Sequence, residues 1–344
     1  MVAYLRSAIQ IYKDITGLSP TPCSTPFASE LSHDQYIKNV TTPGRWGYKA
    51  ASFLMKLLYA ARCAFPLINK PISSLASQIS RWSLEADRRL HRIYEFLVNA
   101  TDTVLTGSLA LEDLSCVKLC GYADSDLAGD TWTTKSTTGY WVELQGAGGR
   151  TFPLAWASRF QGSTSTHTCE SETVALCDTL KREVVPLQLL LSKLLKREID
   201  TEVFEDNAAC MISVHKGYSP SMRYIGRTQK CSLGFLTDTC EVEPQAGGDP
   251  RKKTEKPVFL RKVETDKQKA DLFTKDMDRM RFSQLSAMIG MVTKQNNKAM
   301  IVASPNNVLE RRATSVRTCA HYFIGDTIVS VSYTHLTLPT ILRV

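Results

Sequence analysis

The 344-residue sequence has no uninterrupted apolar run of the roughly 18 residues that a membrane-spanning helix needs, so no membrane partner is expected. Its opening, MVAYLRSAIQIYKD, breaks its apolar stretch with charges and offers no small-residue cleavage site, which argues against a secretory signal. A cysteine-rich metal pattern is also missing. Cys116 and Cys120 stand close together, but no second pair follows at ligand spacing, and His167 and Cys169 have no further ligands in register. A closed zinc site needs four nitrogen or sulfur ligands. The ten cysteines therefore read as reduced, partly buried thiols of an intracellular protein, and the N-x-T sequons at Asn39 and Asn99 as incidental. Nor does one charge dominate. Lys and Arg number 42 against 34 Asp and Glu, which permits a polyanionic partner without demanding one.

What is present is enough apolar material for a core: 43% of residues are hydrophobic, which excludes a disordered chain. The length suggests two domains, or one with extensions. Residues 1–112 read as helices joined by polar loops. The stretch from Ala51 to Leu75 is apolar and helix-friendly as far as Pro66, and the next repeats Leu75, Ile79, Trp82, Leu84, Leu90, Ile93 and Leu97 at helical spacing. Nothing in it looks catalytic.

Residues 113–292 alternate strand and helix signals. Strands are expected at 117–124, 137–145, 151–158, 201–206 and 257–263. A long helix is expected over 170–197 (Val174, Leu180, Leu187, Leu191, Leu194), with Pro186 kinking or splitting it. A short helix at 208–215, a helical stretch over 221–240, a polar loop at 243–256 and a last helix containing KADLFTK complete the pattern. The order argues for an α/β domain with a mixed central sheet. The tail, 293–344, loses periodicity and ends VSYTHLTLPTILRV, which resembles translated sequencing-adapter sequence; it reads as unstructured or non-native.

Four acids stand at strand ends or first helical turns: Asp124, Glu172, Asp206 and Asp271. Strand ends in an open α/β sheet form one rim, where reactive groups collect. Carboxylates converging there repel one another unless cations compensate. Mg²⁺ prefers oxygen ligands, and two such ions about 4 Å apart suit in-line phosphodiester cleavage. Spacing alone leaves an accidental cluster open.

The local sequences carry more. GYADSDLAGDTWTTKSTTGYWVEL resembles the opening hairpin of the ribonuclease H domain of copia-type Pol polyproteins, and WASRFQGSTSTHTCESETVAL its third strand and first helix. FEDNAACMIS is similar to its acid-Asn element, and KQKADLFTKDM to its closing A-D-x-x-T-K signature. The four segments occur in family order over about 116–291, with a fainter likeness over 45–110.

The resemblance implies a ribonuclease H-like fold, a five-stranded mixed sheet flanked by helices, after a mainly helical remnant of the reverse-transcriptase thumb and connection. It implies two Mg²⁺ (or Mn²⁺) ions held by Asp124, Glu172, Asp206 and Asp271. Asp126 and Asp130 would lie in the turn after the first strand, Glu170 about 200° round the helix from Glu172, and Glu205 on the other side of its strand from Asp206. The implied reaction is hydrolysis of the RNA strand of an RNA–DNA hybrid, with the rest of the Pol protein as a further partner, in a cytoplasmic virus-like particle or the nucleus.

Candidate backbone contacts are Thr134, Lys135, Arg159 and Asn207 near the rim and Arg223, Arg227 and Lys230 farther along, which together would make binding salt-dependent. The sequence departs from the family in reading TCESE where S-T-E-A-E is usual, and in having no His between Val242 and Asp271. It also holds no Asp-Asp pair, so the polymerase palm motif is missing. Two other readings remain: a non-catalytic nucleic-acid-binding relic of a truncated element, and an integrase-like core, against which ADLFTK argues.

Overall fold

The computed structural model describes residues 1–130, 133–243 and 256–293, together with the backbone of Tyr322–Ile324 and Thr327–Val329. Most of the expected tail at 293–344 and most of the expected loop at 243–256 lie outside those residues.

The first hundred residues form five helices: α1 (Val2–Thr16), α2 (His33–Thr41), α3 (Gly47–Cys63), α4 (Asn69–Ala76) and α5 (Leu84–Ala100). Their starts follow local chemistry. The Ser83 hydroxyl accepts from the Ala86 amide and caps α5, whose first turn carries Glu85 and Asp87 against the helix dipole. A short strand, β1 (Thr103–Leu105), follows; it pairs antiparallel with the last described strand of this region, Met291–Thr293.

The main sheet then builds from β2 (Lys118–Asp126), β3 (Thr137–Gln145) and β4 (Thr151–Phe160), an antiparallel meander. Helices α6 (Thr168–Thr179) and α7 (Val185–Leu195) cross to β5 (Thr201–Glu205), parallel to β2. Helices α8 (Ala208–Lys216), α9 (Ile225–Thr228) and α10 (Leu233–Thr239) lead to β6 (Cys240–Val242) and β7 (Val258–Lys262); α11 (Arg279–Met288) and β8 (Met291–Thr293) close the region. Spatial order is β4-β3-β2-β5-β7-β6, antiparallel on the first side and parallel on the second.

The α/β class and mixed sheet agree with the sequence reading; the strand number does not. The sheet has six strands rather than five, because the three residues Cys240–Val242 add a parallel edge beside β7. So short an edge leaves no alternation to read. The stretch 221–240 is not one helix either: Pro220–Met222 is a 3₁₀ turn, Lys230 takes a left-handed φ of 54°, and Ser232 starts α10 by accepting from Phe235 N. KADLFTK is not an α-helix: Lys269–Phe273 is a short 3₁₀ helix, a single tight turn, and α11 begins eight residues after Asp271. Strand β2 runs two residues further than expected, so Asp126 is in the strand. The expected long helix is divided just before Pro186: α6 ends at Thr179 and α7 starts at Val185, with the proline in its first turn. A π turn over Leu180–Val184 precedes α7, which absorbs the carbonyl clash and the missing N–H of the proline.

β3 is buried on both faces, and its side chains alternate between two cores. Tyr140, Val142 and Leu144 join Leu119, Val203 and Leu260 beneath α6, α8 and α10. Trp141 faces the other way, into a core made by the N-terminal helices with Leu272, Phe273, Phe282 and Leu285.

Candidate metal centre

Three carboxylates from three elements converge at the ends of β2 and β5. Asp124, on β2, Glu172, in the second turn of α6, and Asp206, the residue after β5, each offer an oxygen within 4.8 Å of the other two. Parallel pairing of β2 with β5 brings the two Asp residues to one rim, and α6 packs across the rim to deliver Glu172. His167 fixes the start of α6, its Nδ1 accepting from Glu170 N at 3.1 Å.

Burial governs the electrostatics. Desolvation pushes the Asp124 carboxyl up from 3.8 to about 7, against the pull of Lys275, with Asp271 and Asp206 adding repulsion. Glu172 rises from 4.5 to about 9, first through burial and then through the charges of Asp124 and Asp206. Its Oε2 is buried and has no hydrogen-bond partner. An orphaned buried carboxylate oxygen, beside two more acids, is a ligand set for a hard divalent cation: all donors are oxygen. The residues therefore fit Mg²⁺ or Mn²⁺.

Asp271 lies outside that triad. It sits in the 3₁₀ turn, its Oδ1 2.7 Å from Lys275 Nζ and its Oδ2 2.8 Å from Arg281 NH2. Lys275 Nζ also reaches Asp124 Oδ1 at 3.2 Å, and the Thr274 hydroxyl donates to Asp124 Oδ2. Gln268, fully buried, clamps the turn to β2: its Nε2 donates to the Ala123 carbonyl at 2.9 Å.

The sequence reading missed these four partners because it sought acids; the T-K of ADLFTK was the available signal. It also passed over Glu205. This residue is wholly buried, and burial followed by the Glu172 charge pushes its carboxyl far above the usual range. Its Oε1 accepts from Asn207 N at 3.1 Å while Oε2 is an orphan. Glu170 points elsewhere, its Oε2 held by Thr166 and by the Tyr224 hydroxyl at 2.8 Å.

The other expected contacts divide. Thr134 is exposed in a turn, with a left-handed φ of 53°, and Lys135 is half-buried beside it. Arg223, Arg227 and Lys230 are exposed on the segment that Tyr224 ties to the start of α6. Arg159 is engaged inside the fold, donating to the Tyr140 hydroxyl at 2.7 Å and pairing with Asp178 at 3.8 Å. Asn207 is a helix cap, its Oδ1 accepting from Cys210 N at 3.0 Å.

Fold and site together define a mixed α/β protein with a buried acidic centre suited to a divalent metal. The chain is similar to the retrovirus-related Pol polyprotein from transposon TNT 1-94 of Nicotiana tabacum, with 24% identity over 275 residues. That alignment covers 78% of this chain and 18% of the relative, so the chain spans less than a fifth of the length of the protein it resembles. No family model matches the chain. Among the described residues no helix is long and apolar enough to cross a membrane.

Proposed function

We propose that this chain is a metal-dependent endonuclease that hydrolyses the RNA strand of RNA–DNA hybrids, as the ribonuclease H part of a copia-type retrotransposon Pol protein. The observation that carries the reading is the convergence of Asp124, Glu172 and Asp206 within 4.8 Å at one sheet rim. Bound Mg²⁺ or Mn²⁺ ions would supply charge stabilisation for the phosphodiester and an attacking water of lowered pKa.

The protein's own part is placement. Asp124, Glu172 and Asp206 would hold a divalent ion, and Asp271, joined to Asp124 through Lys275, would be the fourth acid. The buried rim strengthens each charge interaction within it. Arg227 and Lys230 are exposed to meet phosphates, with Thr134 and Lys135 on the β2–β3 side; Arg223 is exposed too, its guanidinium resting on Tyr218 and donating to that hydroxyl. Phosphate contacts position the duplex without reading its bases. The 2′-hydroxyl separates the RNA strand from the DNA strand.

The test is Mg²⁺-dependent cleavage of a labelled RNA–DNA hybrid by the full chain, beside Asp206→Asn. Cleavage confined to the RNA strand, and lost with EDTA and in the variant, is the expected result. A folded chain that binds the hybrid and leaves it intact overturns the proposal in favour of a non-catalytic relic.

A further inference from the structure

Four acids and two cations meet at this rim, and the cations are unevenly shared. Among the described residues, the ion pairs of the cluster fall on Asp124 and Asp271 only: Lys275 Nζ stands 3.2 Å from Asp124 Oδ1 and 2.7 Å from Asp271 Oδ1, and Arg281 takes the other Asp271 oxygen at 2.8 Å. Glu172 and Asp206 carry none, although both contribute to the triad. Within the triad only Asp124 meets a cation, and through one oxygen, while Glu172 Oε2 has no partner at all; the place between Asp124 and Asp271, by contrast, is bridged by an ammonium that touches both acids.

From this we infer that Lys275 is a built-in counter-cation that makes metal loading ordered and unequal. The inference rests on the metal-centre reading above. A first divalent ion held by Asp124, Glu172 and Asp206 would leave the Lys275–Asp271 pair intact and share only Asp124 with the lysine. A second ion held by Asp124 and Asp271 would have to displace Lys275 from both. The lysine is able to leave, because its side chain is 38% exposed and sits on a flexible four-carbon stem. Its retreat leaves Asp271 still held by Arg281, so the acid stays in place to meet the incoming ion. The affinity of the second site is thus set by a competition between an ammonium and a divalent ion for the same pair of oxygens.

The experiment is calorimetric titration of the full chain with Mn²⁺, which reports binding whether or not cleavage occurs. The wild type should show one tight and one weak event. Lys275→Met should tighten the weak event by about tenfold and leave the tight one within about twofold. Lys275→Arg, which keeps the charge, should leave the second event weak. Arg281→Gln removes a charge from the other oxygen of Asp271 without vacating the bridge, and should shift the second event less than Lys275→Met does. Circular dichroism in EDTA establishes that each variant is folded, and Lys275→Gln replaces the methionine variant should that one misfold. Two equal events in the wild type, isotherms of wild type and Lys275→Met that superimpose, or an equal shift in Arg281→Gln each overturn the role of Lys275 while leaving the proposed function standing. No Mn²⁺ binding by any of the proteins overturns the metal centre itself.

Discussion

The indole Nε1 of Trp156 donates to the main-chain carbonyl of Ala61 at 2.7 Å, joining β4 to the end of α3. Two more links run beside it: Ser158 N donates to Asn69 Oδ1 at 3.1 Å, and buried Lys70 donates to the Thr137 hydroxyl at 3.2 Å. Helix α4 thereby covers the β4 side of the sheet, and its Asn69 satisfies the Ser158 N–H that an edge strand would otherwise expose. The N-terminal helices and the face of the sheet that carries Trp141 share one core.

That sharing predicts what happens to a chain cut at the start of the sheet. Trp141, Leu272, Phe273, Phe282 and Leu285, each at most 4% exposed, would lose their apolar cover. Re-exposing side chains of this size costs about 1.5–3 kcal/mol each, of the order of 10 kcal/mol together. This is comparable with the whole stability of a typical domain. A fragment of residues 113–293 should bind a hydrophobic dye and melt without a cooperative transition, whereas the full chain melts cooperatively. Matching melting curves for the two would refute the shared core.

The glycine of the STTGY motif has a spatial role. Gly139 lies opposite Asp124 in the β2–β3 register. A Cβ there would stand 2.5 Å from Thr274 Cγ2, 2.9 Å from Phe273 Cβ and 3.0 Å from the Ala270 carbonyl. Only a bare backbone lets the turn bearing Asp271 close on β3 at this point. Gly139→Ala should destabilise by about 1–3 kcal/mol through overpacking and should weaken Mn²⁺ binding as the turn moves. Gly162→Ala, where an added Cβ meets nothing within 4 Å, is the control and should change neither. Unaltered Mn²⁺ binding in Gly139→Ala would count against this close approach.

Much of this was readable in advance, and the reasons differ by element. β3 appears over the residues its alternation indicated, because both faces are buried and every side chain is constrained. α8 begins after Asn207 and ends before Gly217, which takes a left-handed φ of 67°, and both caps are written in the sequence. Three of the four acids meet because each lies at or near the end of its element. The sixth strand was not legible, being three residues long and defined only by its neighbour β7. Nor was the Arg281 pair of Asp271, since no local pattern tells that a residue ten positions on will fold back upon it; Lys275, four residues on, was signalled only by the T-K of ADLFTK. The packing of α4 on β4 is tertiary throughout, and helix periodicity says only that an apolar face exists.

A buried ion pair holds the turn from its other end. Lys269 Nζ lies 2.5 Å from Glu143 Oε1, with side chains 10% and 2% exposed, and Trp141 Nε1 donates to the second Glu143 oxygen at 2.7 Å. Breaking such a pair on one side strands a charge in the interior. Lys269→Met should therefore cost about 3–5 kcal/mol, although it preserves volume. The double variant Lys269→Met/Glu143→Gln removes the stranded charge yet keeps an acceptor for Trp141, and should recover most of the loss. Denaturant unfolding of the four proteins measures the coupling. A single-variant cost below about 1 kcal/mol would show that the pair is not effectively desolvated.

The raised carboxyls of the centre give the protein a metal-linked pH dependence of a definite sign. Asp124 ionises near 7 rather than 3.8, and Glu172 near 9 rather than 4.5, both chiefly because burial disfavours their charge. An acid whose pKa is higher in the fold than in the unfolded chain stabilises the fold while protonated. That contribution is complete below the unfolded values, near pH 4, and drains away as the pH rises through about 7 and then about 9. Divalent metal acts the opposite way, since it binds the ionised ligands and its affinity grows as protons leave. Metal that binds only the folded chain adds stability in proportion to the logarithm of its excess over the dissociation constant. In EDTA the melting temperature should therefore fall between pH 5 and pH 9, and in excess Mn²⁺ the fall should flatten, so that the gap between the two curves widens with pH. Glu172→Gln, with no carboxyl to ionise at that position, should show a shallower fall in EDTA and lose most of the Mn²⁺ gain. Parallel curves with and without Mn²⁺ across this range would mean that the three carboxylates do not hold the ion.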